Sequence, residues 1–137
     1  MGEDARTILI IEDESSLLNI LSDEFTEEGF SVLGAQDGAQ GLSLALRKQP
    51  DIILLDILMP VMDGITMLQW LRKENLWGEG VPIVLLTNLT PTDEDGWHLS
   101  QLYRDSGGSP NLTYLQKSEC MLSDVVKVVK DRLGAPM

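Results

Sequence analysis

Short apolar runs and helical stripes alternate along this chain. Thr7 to Ile11, TILII, is β-branched and apolar, and predicts a strand. After EDESS, the residues Leu17, Ile20, Leu21 and Phe25 recur at helical spacing, with Asp23, Glu24, Glu27 and Glu28 largely between them. Ser15 or Ser16 can cap that helix and Gly29 can end it. FSVLGA is a weaker second strand. Ala39, Leu42, Ala45 and Leu46 form a second stripe that stops before Pro50. Ile52 to Asp56 predicts a third strand, and Gly64, Met67, Leu68 and Leu71 a third helix. VPIVLLT, Val81 to Thr87, predicts the fourth strand. Thr90-Pro91-Thr92-Asp93 opens a fourth helix that carries Trp97 to Tyr103. LTYLQ predicts the fifth strand, and Leu122, Val125, Val126, Val129 and Leu133 the fifth helix.

The order is β-α five times over. Strands one, three and four are continuous apolar runs, as in parallel strands buried on both faces. Right-handed crossovers then give an α/β fold, a doubly wound five-stranded parallel sheet with helices on both faces. Such sheets bind ligands beyond the carboxyl ends of their strands, at a topological switch point. No internal repeat, long linker or second domain is visible.

Composition narrows the function. At 137 residues and 43% hydrophobic, the chain is one domain with a core of its own. Its 22 acidic residues against 10 basic ones give a charge of −12, which repels phosphate backbones and argues against direct nucleic-acid binding. No apolar stretch reaches the length of a membrane span, and MGEDART lacks a signal-peptide core. A cytoplasmic protein with no membrane partner is expected. Cys120 is the only cysteine, so an internal disulfide is excluded and a small packed side chain is the simplest role. His98 reads as a surface histidine, and Trp70 and Trp97 as core or half-buried residues rather than binding platforms.

The carboxyl edge of the predicted sheet holds the chemistry. Glu12 and Asp13 follow strand one, Asp56 ends strand three, Thr87 ends strand four, and Lys117 follows strand five. Singly, each is ordinary: a solvated loop carboxylate, a β-branched residue, a surface lysine. Together they bring three carboxylates, a hydroxyl and an ammonium to one rim. Clustered carboxylates repel, and a hard divalent cation relieves that repulsion through oxygen ligands. One carboxylate can then act as a nucleophile toward phosphorus, while cations neutralise the incoming phosphoryl oxygens. This explains why an apolar strand ends on Asp56.

ILIIEDE, DIILLDILMPVMDG, IVLLTN and YLQK, in that order, resemble the receiver domain of bacterial two-component response regulators. The resemblance runs from about residue 7 to residue 133, with 1–6 as an N-terminal extension and 134–137 as a tail. It implies a flavodoxin-like fold with strand order 2-1-3-4-5. It also implies that Asp56 is the phosphoacceptor, Asp13 a direct Mg²⁺ (or Mn²⁺) ligand, and Glu12 a second acidic partner acting through water. The backbone carbonyl of Leu58 would complete the metal's protein ligands. Thr87 would be the switch hydroxyl, Lys117 the phosphate-contacting lysine, and Tyr114 the aromatic switch residue. The implied partners are a sensor histidine kinase or phosphotransfer protein as donor, and an output partner or effector domain. The implied role is signalling: such a chain catalyses only its own phosphorylation and slow dephosphorylation. Leu58 and Leu89 would border the path of the hydrolytic water.

Three positions depart from the family pattern. Ser118 replaces the proline that usually follows the lysine in a cis peptide, Asn88 replaces a small residue, and the stretch from Thr87 to Lys117 is longer than usual. Other classes fit less well. A haloacid-dehalogenase-like phosphatase wants an aspartate two residues after its nucleophile, where this chain has Leu58. A flavodoxin-like FMN protein wants a hydroxyl- or glycine-rich phosphate loop after strand one, where EDESS presents carboxylates. A degenerate receiver that only binds protein would not need all five site residue types.

Overall fold

The computed structural model describes residues 6–56, 67, 70–71, 80–87, 112–116 and 121–134. Its elements are β1 (Thr7–Ile11), α1 (Ser15–Glu27), β2 (Ser31–Ala35), α2 (Gly38–Lys48), β3 (Ile52–Leu55), β4 (Ile83–Thr87), β5 (Leu112–Gln116) and a C-terminal helix, α3 (Leu122–Leu133). Met67, Trp70 and Leu71 are also helical, within the predicted third helix. The predicted fourth helix, with Trp97 and His98, lies outside the described residues, as do Asn88, Ser118 and Cys120.

The strands form one parallel sheet in the order β2-β1-β3-β4-β5, as expected. Side chains alternate across a strand, so each central strand feeds two cores. Leu9, Ile11, Ile53, Leu55, Ile83 and Leu85 face one layer with Ala45 of α2, Met67 and Leu71. Ile8, Ile10, Ile52, Leu54, Val84 and Leu86 face the other, with Leu21 and Phe25 of α1 and Val125, Val126 and Val129 of α3. Burial on both faces is why these strands read as unbroken apolar runs. Each fully buried side chain of this size contributes roughly 1.5–3 kcal/mol.

Several boundaries differ from the sequence reading. Glu14, not a serine, occupies the N-cap of α1, and it makes no side-chain cap. Ser15 is already helical, and the Ser16 hydroxyl donates to the Glu14 carboxylate at 3.1 Å. β4 begins at Ile83 rather than Val81 because Pro82 has no N–H for the ladder, although its carbonyl accepts from the Ile53 N–H at 3.0 Å. Trp70 is 52% exposed, against the expected core or half-buried position. Met67 and Leu71 set the buried face of their helix, and Trp70 sits roughly 80° around the axis from it at about 100° per residue.

The helix ends follow local chemistry. Gly29, at φ 95°, stops α1 as expected, and Phe30 then packs edge-on against Phe25 with ring centroids 5.2 Å apart. Asp37 caps α2 by accepting from the Gln40 N–H at 2.8 Å. Gln49 closes that helix in the left-handed region before Pro50. Lys130 of α3 pairs with Glu28 at the end of α1 across the outer surface.

Candidate phosphoryl-acceptor and metal site

The site is assembled by strand register. Ile11 and Leu55 are neighbours on β1 and β3, the last residues of their strands. Glu12 and Asp13 leave one strand end and Asp56 leaves the other, side by side. The Asp56 N–H donates to the Ile11 carbonyl at 3.0 Å, extending the β1–β3 ladder by one bond. The Glu12 N–H donates to the Ala35 carbonyl of β2, also at 3.0 Å. Both acidic residues are therefore pinned by backbone before their side chains act.

Glu12 is 2% exposed and Asp56 7%, the buried charged residues among those described, while Asp13 is exposed. One carboxylate oxygen from each of the three lies within 4.8 Å of the others. The Glu12 carboxylate also accepts from the Glu14 N–H at 3.1 Å, which turns the chain into α1. That backbone donor was not foreseen from the sequence; the run Glu-Asp-Glu-Ser-Ser, too short for anything but a tight turn, was its only sign.

A carboxylate held in a buried cluster of like charge is costly without a cation. Two buried carboxylates and one open to solvent suit a hard divalent ion that keeps part of its water shell. The cluster fits such an ion on donor chemistry, because every ligand is oxygen. Thr87 ends β4 on the same carboxyl edge, two residues beyond Leu85, and pairs in register with Gln116 at the end of β5. Tyr114 lies in β5 opposite Leu85. Leu58 and Lys117 fall outside the described residues, as does the Lys117–Ser118 peptide.

A sheet of this order with paired carboxylates at the ends of β1 and β3 defines a class of protein, and comparison with known proteins identifies it. Residues 8–99 match the model of the response regulator receiver domain, and the chain belongs to that family. It is 39% identical over 87 residues to the probable transcriptional regulator ycf27 of Porphyridium aerugineum, covering 64% of this chain and 35% of that protein. It is 37% identical over 81 residues to the probable transcriptional regulatory protein TcrX of Mycobacterium tuberculosis, covering 59% and 33%. The chain thus spans about a third of the curated relatives it matches.

Solved receiver domains match over nearly the whole chain. The receiver domain of the sensor histidine kinase PA1611 of Pseudomonas aeruginosa, which has a magnesium ion coordinated in its active-site cleft, is 25% identical. It superposes with a TM-score of 0.79, covering 96% of this chain and 99% of that one. The receiver domain of the Francisella response regulator 1452 is 26% identical with a TM-score of 0.75, covering 93% and 96%. Among the described residues, no helix is long and apolar enough to cross a membrane.

Proposed function

We propose that Asp56 is the phosphoacceptor of this receiver, and that residues 7–133 act as a phosphorylation-controlled switch. The observation that carries the reading is the cluster itself: Asp56, buried at a central strand end, with Glu12 and Asp13 oxygens within 4.8 Å. The donor is a phosphohistidine on a sensor kinase or phosphotransfer protein. An oxygen of Asp56 attacks phosphorus, the phosphorus–nitrogen bond breaks, and the imidazole leaves with its electron pair and takes up a proton. The product is an aspartyl phosphate on Asp56.

Glu12, Asp13 and Asp56, with the Leu58 carbonyl, would hold a magnesium or manganese ion. Such an ion supplies positive charge against the phosphoryl oxygens. The Lys117 ammonium meets the same oxygens, and the Thr87 hydroxyl hydrogen-bonds to the transferred group. Tyr114 reports the new state at the neighbouring strand. The role is signalling, with an output domain or partner protein reading the altered surface, and the chain works in the cytoplasm. Support comes from membership of the family and from the relatives, which are regulators about three times as long as the matched segment.

Intact mass spectrometry after incubation with acetyl phosphate and Mg²⁺ tests the assignment. The wild type gains one phosphoryl group, and Asp56→Asn gains none. A gain that persists in Asp56→Asn would place the phosphoryl group elsewhere and overturn it.

A further inference from the structure

Gly41 stands in the interior of α2, where alanine is the better helix former. It is buried and faces the end of β1. A Cβ added there would lie 2.4 Å from Ile11 Cδ1, 2.9 Å from Cγ1 and 3.2 Å from Cγ2. At those distances the Ile11 side chain must shift before a methyl group can fit. The Ile11 side chain thus occupies the volume that any other residue at position 41 would need.

Ile11 is not an ordinary core residue. It is 1% exposed, and its neighbours in register are Ala35 on β2 and Leu55 on β3. Its carbonyl accepts the Asp56 N–H, and the next residue is Glu12, tied through its own N–H to Ala35. The backbone bonds made by the N–H groups of Glu12 and Asp56 thus run to Ala35 and to Ile11 itself. A local rule broken inside a helix, next to such a residue, marks a constraint from the site.

We infer that Gly41 is a positioning residue for the carboxylate cluster. By lacking a Cβ it lets α2 close on Ile11, and so sets where Glu12, Asp13 and Asp56 stand relative to one another. Close-packed interiors pass strain on rather than absorb it. The Ile11 side chain is 1% exposed and belongs to the same buried layer as Leu9, Ala35 and Leu55, so a shift of its position is passed to a close-packed core. A methyl at position 41 therefore displaces the end of β1 and loosens the cluster, while α2 itself gains helix propensity. This inference rests on the reading of the cluster as a divalent-cation site.

The test is Mn²⁺ affinity, read as free Mn²⁺ by electron paramagnetic resonance, with urea unfolding in EDTA run beside it. Wild type, Gly41→Ala, Ile11→Val and the double variant are compared. Gly41→Ala is expected to bind Mn²⁺ about tenfold more weakly, the scale set by groups that orient metal ligands. Ile11→Val removes the Cδ1 methyl, the nearest of the three atoms, so the double variant is expected to recover part of the affinity that Gly41→Ala loses. Unchanged affinity in Gly41→Ala would overturn the inference. So would a loss that merely follows the folded fraction in EDTA, or a double variant no better than Gly41→Ala. A wild type that binds no Mn²⁺ would instead overturn the cation reading, and the inference with it.

Discussion

Millimolar Mg²⁺ should stabilise the folded chain, because the cation binds a cluster that only the folded state assembles, and the size of the effect follows from the ion's concentration relative to its dissociation constant. At an effective dielectric of about 20, two unit charges within 4.8 Å of each other repel by about 3 kcal/mol or more. Glu12 and Asp56 are both buried, so solvent screens this repulsion poorly, whereas the exposed Asp13 adds less. The unfolded chain holds its carboxylates apart and binds the cation weakly. At a free Mg²⁺ concentration 100 times the dissociation constant, linkage gives about 2.7 kcal/mol of stability. For a domain of this length 1 kcal/mol moves Tm by roughly 3–5 °C, so the total shift is about 10 °C.

Differential scanning calorimetry in EDTA and in Mg²⁺, at matched ionic strength and neutral pH, measures it. Asp13→Asn removes one ligand, and a tenfold weaker site gives up about 1.4 kcal/mol of the gain. Only deprotonated carboxylates bind the ion. The shift is therefore expected at neutral pH and shrinks in acid, where protons compete with the ion. A Tm that Mg²⁺ leaves unchanged relative to the salt control would refute the reasoning. So would an equal shift in Asp13→Asn.

Two further outcomes are expected. Phe25→Ala, which empties a fully buried site and removes the edge-on contact with Phe30, should cost about 3–5 kcal/mol in urea unfolding, and a cost under about 1 kcal/mol would contradict the described packing. Leu58→Asn with Leu89→Glu, at positions that the family resemblance sets beside the water path, should release phosphate roughly tenfold faster after donor removal, since each can orient a water that leucine cannot; equal or slower decay would exclude a guarding role.

Much of the architecture was legible because two-sided burial leaves a direct mark. Ile52 to Leu55 could only be an interior strand, and Asp56 stood out at its end because a charge there needs a reason. The β-α alternation and the carboxyl-edge rule then brought Glu12 and Asp13 beside Asp56 without coordinates. Local competition was harder to read. Ser15 and Ser16 carry capping side chains, yet the N-cap position falls on Glu14, one residue earlier, where its N–H is taken by the Glu12 carboxylate. Pro82 looked like part of an apolar strand, and only its missing donor excludes it. Trp70 shares helical spacing with the core residues but falls outside their arc. Gly41 gave no signal as a sequence letter, since its meaning lies in the Ile11 side chain opposite.

The β4–β5 register has a consequence for how this fold tolerates change. Thr87 and Gln116 are paired at the carboxyl edge, and Ile83 and Leu112 at the other end. The intervening segment, 88–111, is thus anchored at both ends by a ladder that does not depend on its length. Loop-closure entropy rises only logarithmically, by about 0.6 kcal/mol for each doubling. A change in the number of residues between the two strands therefore leaves Thr87 and Gln116 paired as they are, at a closure cost that varies little with length. The spacing of the site-bearing strand ends is thus set by the sheet rather than by the length of the segment that joins them.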